Sequence, residues 1–520
     1  MSTAGEFDAV HVISQLHLGG PQGREIFKER EEERLATWIN TLSKSKAKRV
    51  ALVLAGDVVD FISVYPEGTY FSPANAERQI DAIFGGDAAR ADVPIRPLTR
   101  LRNALSGFIE PRRDDHVRAL VVLIGNHDVE LAIPSVRERL RAHLCGDGAE
   151  KRARLIFAID GQGWQCRVAG HKVYCVHGNE ADPVNRNDHE GMRRVAAALE
   201  RDEHHRNTEA AIVRRCWTQN FGTSLVVDVL NEVKEEIPFL DLLKPEQEPL
   251  ADIIQAIKPG KLGDHAMDLL KLVPRGASNV VSRGTLGGER YDDDDDARPP
   301  SRPRGDELSP RPQKPSLSPL DVERLEALVR EGRAPEELAT GGTLGIMDLA
   351  DIKLRQIVGA STTRPLWRSL SRWKALRNDP DKPSYREVDQ GDRIFNAYDP
   401  HLGPDIKVFV AGHTHAPRAH RGGNRLYFNS GTWIDLLRID AMVPSDLDDD
   451  ARLKAFEDTI EDLKAGRFDR FRDDELRGTA VSVRVVEEKG AKVVKATLHT
   501  VIADKLIGTE LKTFTVGGAP

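Results

Sequence analysis

The chain has few cysteines and no stretch suited to anchoring it in a membrane. Its 520 residues contain four cysteines, none of them in a CxxC pair. These cysteines lie in or beside apolar stretches, which favours buried free thiols in a reducing compartment over disulfide bridges. The first residues lack the basic start and apolar core of a signal peptide, and no apolar run is long enough for a transmembrane helix. The sequence therefore predicts a cytoplasmic protein without a membrane span.

The sequence also lacks a basic tail or a block of lysine and arginine. The net charge is −7, from 75 basic and 82 acidic residues, which argues against strong nonspecific binding to nucleic acid. A local basic groove is still compatible with this composition. Hydrophobic residues make up 40% and charged residues 30%, as in soluble globular proteins. Since 520 residues exceed one ordinary domain, we expect two or three structural units, although a single core with large insertions would also account for the length.

Short apolar runs alternate with helical patterns along much of the chain. The runs AVHVIS, RVALVLAG, RALVVLIG, HKVYCVHG and IKVFVAG each read as a buried strand that ends in a polar loop. Helical patterns such as GREIFKEREEERLATWINTLSKS lie between them, which predicts an α/β fold. In such folds the loops at the carboxyl ends of the strands converge on a ligand.

The alternation is interrupted in the middle of the chain. We interpret residues 1–179 and 399–505 as two parts of one core, residues 180–398 as a helical insertion, and residues 506–520 as a tail. Residues 289–319 are dense in Asp, Pro, Arg and Ser, which predicts a disordered linker inside the insertion. The five consecutive aspartates at 292–296 read better as a solvated charge run than as a cation site.

Five of the predicted strand ends carry polar motifs rich in metal-binding side chains. In chain order they are QLH (Gln15 to His17), GDVVD (Gly56 to Asp60), GNHD (Gly125 to Asp128), HGN (His177 to Asn179) and GHTH (Gly412 to His415). Imidazole, carboxylate and amide groups suit Mn, Fe, Zn or Co. Each motif is weak by itself, but together and in this order they predict a metal centre.

This set of motifs resembles the signature of the calcineurin-like metallophosphoesterase superfamily, which reads D-x-H, G-D-x-x-D, G-N-H-[D/E], a lone His and G-H-x-H. The resemblance covers roughly residues 7–178 and 405–502 and does not extend to the helical insertion. It implies a four-layer αββα sandwich of two mixed sheets. It also implies hydrolysis of a phosphodiester or pyrophosphate bond by a hydroxide that two divalent transition metal ions activate.

The resemblance also implies a role for each residue of the motifs. His127 would donate to the phosphate and protonate the leaving oxygen, and Asp60 would hold its imidazole. The implied metal ligands are Gln15, His17 and His415 at the first ion, Asn126, His177 and His413 at the second ion, and Asp57 bridging both.

Position 15 departs from the signature, because glutamine stands where the superfamily has an aspartate ligand. An amide oxygen can coordinate a metal ion, but it brings no negative charge. Three readings follow: the first ion is held loosely and recruited with substrate phosphate, the enzyme works with one ion, or the chain keeps only binding. Since His127, Asp60 and Asn126 are all present, an active or partly active hydrolase is favoured.

The substrate is defined only as a class. Arg418 follows the last motif and is predicted to meet a phosphate oxygen, with a surface salt bridge as the alternative. The apolar helices of the insertion are interpreted first as packing on one another and on the core. The alternative is an apolar lid, which would resemble the one that bacterial UDP-diacylglucosamine hydrolases use for acyl chains, so the expected substrate is a phosphate-containing small molecule or a lipid-linked phosphate. The alternatives are a DNA-repair type of nuclease and a catalytically weakened binding protein. The sequence does not define the oligomeric state.

Overall fold

The fold was obtained as a computed structural model. The structure describes residues 5–242 and 387–517, together with a few residues between 363 and 374. Gaps within these ranges fall at 65–70, 87–92, 113–114, 202–204, 232–233, 235–238, 439–441, 468 and 473–476. The predicted linker at 289–319 and much of the predicted helical insertion lie outside the described residues.

The described chain forms two mixed β-sheets. The strands are β1 (Glu6–Phe7), β2 (Ala9–Ile13), β3 (Arg49–Ala55), β4 (Val117–Leu123), β5 (Leu155–Ala158), β6 (Trp164–Val168), β7 (His171–Cys175), β8 (Ile406–Ala411), β9 (Pro417–Gly422), β10 (Arg425–Ser430), β11 (Thr479–Glu488), β12 (Ala491–Thr500) and β13 (Thr509–Thr515). One sheet has the order β13-β12-β11-β2-β3-β4-β5 and the other β1-β6-β7-β8-β10-β9. The predicted α/β class is confirmed at this level.

The two sheets share a buried core because their strands alternate apolar side chains between two faces. Val10 and Val12 of β2 belong to one buried cluster with Val173 of β7 and Val408 of β8. Ala9 and Ile13 of β2, Leu52 of β3 and Leu120 of β4 belong to a different cluster, which contains helical residues. β2, β3 and β4 of the seven-stranded sheet are therefore apolar on both faces, as their unbroken apolar sequences predict.

Helices occupy the segments between the strands. They are α1 (Glu29–Ser43), α2 (Pro73–Gly85), α3 (Thr99–Phe108), α4 (Pro134–Cys145), α5 (Ala149–Ala153), α6 (His189–Glu200), α7 (Glu209–Cys216), α8 (Phe221–Leu225), α9 (Arg393–Tyr398) and α10 (Asp450–Lys464). Side chains of α1 to α4, α6 and α7 pack in the cluster on the outer face of the seven-stranded sheet. Ile394 and Phe395 of α9 pack with Phe409 and Tyr427 of the six-stranded sheet.

Two segments outside the interpreted core belong to its sheets and its packing. Residues 509–515, inside the segment interpreted as a tail, form β13 at the edge of the seven-stranded sheet and pair with β12. The first part of the predicted insertion, residues 189–230, contributes helices to the same buried cluster as α1 to α4. Among the described helices, none combines the length and the apolar character needed to cross a bilayer.

A chain of buried hydrogen bonds joins the strands that lead to the first motif. The Ser482 hydroxyl of β11 lies 2.7 Å from His11 Nδ1 of β2 and 2.9 Å from His499 Nε2 of β12. The Trp38 ring packs edge-on against both imidazoles, with centroids 5.7 Å from His11 and 6.2 Å from His499. Burial lowers the pKa of both histidines, in the case of His499 to about 4. Both imidazoles are therefore neutral in the folded protein near neutral pH.

This network makes stability depend on pH in a defined direction. An unfolded histidine titrates near pH 6.5, so between about pH 6.5 and 4 the unfolded state binds more protons at His499 than the folded state. The free energy of unfolding therefore decreases as the pH is lowered through this range. The lowered pKa of His499 accounts for a loss of free energy of unfolding on the order of 3 kcal/mol between these two pH values. We expect His499→Gln to flatten the fall in the free energy of unfolding across this range, measured by urea denaturation. His401→Gln, at an exposed position, is the control. Equal slopes in His499→Gln and the parent would contradict this account.

Candidate metal centre

All five polar motifs lie at the carboxyl ends of strands in parallel pairings. The first three follow β2, β3 and β4, which are parallel neighbours in the seven-stranded sheet, and the last two follow β7 and β8, which are parallel neighbours in the six-stranded sheet. The motif side chains that the structure buries are Gln15, His17, Asp57, Asp60, Asn126, His177, His413 and His415. His127 is partly exposed. The five motifs therefore lie together, at the edge formed by the carboxyl ends of these strands.

The main chain at these motifs is strained. Eight described non-glycine residues have positive φ, and five of them are Gln15, His17, Asp57, His413 and His415. Such backbone is costly for a residue with a Cβ and persists where surrounding structure holds it in place. Its concentration at five motif residues indicates a site that is held for function.

Asp57 lies at the middle of the site. Its Oδ1 accepts a hydrogen bond of 3.0 Å from the backbone N–H of His127. Its Oδ2 lies 3.2 Å from His177 Nε2 and 3.8 Å from His17 Nε2. Burial opposes ionisation of Asp57, but the neighbouring histidines hold its pKa well below the usual range. One oxygen is thus fixed by the main chain, and the other faces imidazoles on two sides.

One group of donors has the composition and geometry of a transition metal site. The donor atoms of Asp57, His177 and His413 lie within 4.8 Å of one another. His177 Nδ1 donates to the Ala55 carbonyl oxygen at 2.8 Å, so Nε2 is the nitrogen that faces Asp57. Burial lowers the pKa of His177, but Asp57 raises it to about 9, so Nε2 carries a proton that a bound ion would displace. Asn126 Oδ1 is buried and has no hydrogen-bond partner among the described residues. Two imidazoles, a carboxylate and an amide oxygen fit a divalent transition metal ion.

Asp182 fixes the orientation of His413. Its Oδ2 lies 3.0 Å from His413 Nε2 and also accepts from Asn185 and Arg393, each within 2.9 Å. Burial raises the pKa of Asp182, but His413 and Arg393 outweigh it and keep the carboxyl ionised. With Nε2 donating to this carboxylate, Nδ1 is the nitrogen of His413 that retains a lone pair.

The donors predicted for a first ion interact with one another. Gln15 is fully buried; its Nε2 donates to Asp57 Oδ2 at 3.1 Å, and its Oε1 lies 2.6 Å from His17 Nε2. The His415 ring stacks on the His17 ring with centroids 5.4 Å apart, and His415 Nδ1 lies 3.0 Å from Thr432 Oγ1. A second group of donors within 4.8 Å of one another consists of His17, Asp57 and His127.

His127 and Asp60 form the pair that the sequence predicts. His127 Nδ1 lies 2.9 Å from Asp60 Oδ1, and the His127 side chain is 14% exposed. Burial would raise the pKa of Asp60, but His127 and His17 lower it strongly, so the carboxylate is ionised. The ionised Asp60 accepts from Nδ1–H of His127 and so fixes the direction of the imidazole ring.

Two motif positions, 56 and 125, require glycine because the Asp57 and His177 side chains lie too close to the main chain there to leave room for a Cβ. A Cβ on Gly125 would lie 2.2 Å from Asp57 Oδ1 and 2.8 Å from His177 Nε2. A Cβ on Gly56 would lie 2.4 Å from the His177 ring, and Gly56 also has a φ of +82°. Glycine is therefore the residue that lets these strand ends meet.

Two acidic residues have structural roles in the site that the motifs alone do not reveal. Asp128 Oδ2 accepts from the backbone N–H of Val58 at 2.7 Å, and Oδ1 accepts from that of Gly125 at 2.6 Å. Asp128 thus ties the second and third motifs together, and burial raises its pKa to about 7. Asp182 is the other; the sequence indicates only that it lies near the centre, four residues after Gly178.

Arg418 lies in β9 with a buried side chain. Its Nη1 donates to the main-chain oxygen of Glu387 at 2.7 Å. This bond holds the guanidinium against the main chain that precedes α9. The predicted contact of Arg418 with substrate phosphate stays a prediction.

Comparisons with known proteins do not assign the chain to a family. No family model matches it, and no curated protein matches it. The chemistry of the site is therefore argued from its own geometry.

The close approach at Gly125 is testable by a paired substitution. Gly125→Ala should lower the free energy of unfolding by about 1–3 kcal/mol, because its methyl group overlaps Asp57 and His177. Gly107→Ala, in α3 with no atom within 4 Å of the added Cβ, should raise it by about 0.5–1 kcal/mol. Urea denaturation with chelator present measures both. Equal effects from the two variants would show that the site is not packed as described.

Proposed function

We propose that the chain is a metal-dependent phosphoesterase of the calcineurin-like metallophosphoesterase type, acting on a phosphodiester or pyrophosphate bond. The observation that carries this proposal is the meeting of five strand-end motifs around Asp57, with positive φ at five of their residues. The αββα architecture is part of the proposal. It is supported by one buried cluster shared between the sheets and by helices packed in the clusters on their outer faces.

The residues that would hold a metal ion are Asp57, Asn126, His177 and His413. They fit one, because donor atoms of Asp57, His177 and His413 lie within 4.8 Å of one another and the buried Asn126 Oδ1 lacks a partner among the described residues. A bound transition metal ion would polarise the phosphate and lower the pKa of a water molecule at the site.

His127 supplies the proton that the reaction needs. Water adds to phosphorus as the ester or anhydride P–O bond breaks, and the leaving oxygen must gain a proton. His127 is 14% exposed and is held through Nδ1 by Asp60, so Nε2 can donate to that oxygen. The ionised Asp60 accepts from Nδ1–H and fixes the direction of the ring throughout the transfer.

Charge selects the substrate class. The site presents histidines and an amide beside the ionised acids Asp57, Asp60 and Asp182, and a bound dication would supply the positive charge that attracts an anion. Phosphate esters meet this requirement. Among them, a nuclease substrate and a small or lipid-linked phosphate share the same reacting group, so a substrate panel must separate them.

The proposal predicts metal-dependent turnover that needs the His127–Asp60 pair. The parent should hydrolyse bis(p-nitrophenyl) phosphate with Mn²⁺ and lose activity with chelator. His127→Ala should lower kcat by about 10²–10⁴-fold, because the leaving oxygen loses its proton donor. His143→Gln is the matched control, since His143 Nε2 forms a similar pair with Asp81 Oδ1 at 2.8 Å outside the centre.

A wider panel then defines the substrate. Nucleotide sugars, lipid diphosphates, cyclic nucleotides and single-stranded DNA are compared under the same conditions. The phosphoesterase proposal is contradicted if no phosphate ester is turned over faster with Mn²⁺ than with chelator, or if His127→Ala and His143→Gln behave alike.

A further inference from the structure

We propose that the Gln15 carboxamide takes the place of the first metal ion, so that the centre holds a single ion at the second site. The inference rests on the proposed function, because it concerns the metal content of the same centre. It differs from the two-ion arrangement that the motifs imply. The argument depends on hydrogen bonds among Gln15, His17 and Asp57.

The orientation of the Gln15 amide is fixed by Asp57. The carboxylate oxygen Asp57 Oδ2 can only accept a hydrogen bond, and the Gln15 nitrogen lies 3.1 Å from it. Rotating the amide by 180° would bring two acceptor oxygens together in a fully buried position. The amide oxygen of Gln15 must therefore point towards His17.

The tautomer of His17 follows from this orientation. Gln15 Oε1 has no proton, so the 2.6 Å contact requires a proton on His17 Nε2. To bind a metal ion through Nε2, His17 would have to give up this bond to Gln15. The other nitrogen, Nδ1, is buried without a hydrogen-bond partner among the described residues and lies 3.8 Å from Asp60 Oδ2. His17 is thus engaged as a donor to Gln15.

Charge favours the same conclusion. An aspartate at position 15 would add a second carboxylate to the centre, whereas Gln15 adds none. Two dications about 3.5–4 Å apart repel strongly, and here Asp57 would be the carboxylate shared between them. The Gln15 amide instead donates a hydrogen bond to Asp57 Oδ2. Because the amide is neutral, this arrangement needs no second carboxylate, whereas a second dication would need one.

Asp57 belongs to this network, whereas the two imidazoles of the second site, His177 and His413, do not depend on it for their orientation. His177 Nε2 lies 3.5 Å from Gln15 Nε2, at the limit of a hydrogen bond, and 3.2 Å from Asp57 Oδ2, so an ion that displaces the Nε2 proton would bind beside Asp57. His413 is oriented by Asp182, which does not contact Gln15 in the described hydrogen bonds. One ion can therefore bind between His177 and His413 with the Gln15 bonds intact.

The test is the number of Mn²⁺ ions bound per chain, measured by elemental analysis after loading and dialysis. The parent should bind one ion, and Gln15→Asp should bind two. Electron paramagnetic resonance gives an independent readout, because a single Mn²⁺ shows an isolated six-line spectrum and a neighbouring pair shows exchange coupling. Two ions in the parent, or one in folded Gln15→Asp, would overturn the inference.

Two single substitutions locate the ion without relying on Gln15→Asp. His17→Ala should keep the one ion, since His17 serves as a donor to Gln15, whereas His413→Ala should weaken its affinity at least tenfold. Loss of the ion in His17→Ala, with unchanged affinity in His413→Ala, would put the ion at the first site and overturn the inference. No bound ion in the folded parent would instead contradict the proposed function, so the two failures are distinguishable. Circular dichroism confirms that each variant is folded.

Discussion

The geometry of the candidate metal centre depends on the Asp57 carboxylate, whose two oxygens have different partners. The backbone N–H of His127 fixes Oδ1, while Oδ2 faces His177 and the Gln15 amide. Asp57 follows a strand of the seven-stranded sheet and His177 follows a strand of the six-stranded sheet. Their 3.2 Å approach therefore joins the two sheets at the edge where the motifs gather. Moving either sheet by one residue would separate these atoms, because a strand advances about 3.3 Å per residue.

The surrounding fold maintains a costly local conformation. Positive φ at Asp57 and at the residues of the first and last motifs opposes the intrinsic preference of side-chain-bearing residues. The buried cluster between the sheets and the Asp128 bonds to Val58 and Gly125 hold these loops in place. A Cβ at Gly125 would contact Asp57. Stability and site geometry are consequently linked through the same few atoms.

The sequence predicts the elements whose signal is local. Unbroken apolar runs predict β2, β3, β4, β7 and β8, and polar residues after each run indicate where ligands gather. It does not reveal β13, because this strand lies at a sheet edge and is largely exposed, so it has no apolar pattern. It also leaves open whether Gln15 binds an ion or replaces one. That choice depends on which amide atom faces Asp57, which only the three-dimensional arrangement shows.

Anomalous X-ray scattering from crystals grown with Mn²⁺ tests the central claim most directly, since it locates ions without reference to activity. The account predicts one Mn²⁺ peak at bonding distance from Asp57, Asn126, His177 and His413, with the Gln15 amide still between Asp57 and His17. Mn²⁺ peaks confined to other parts of the molecule, with these four side chains bonded only to protein or water, would contradict it.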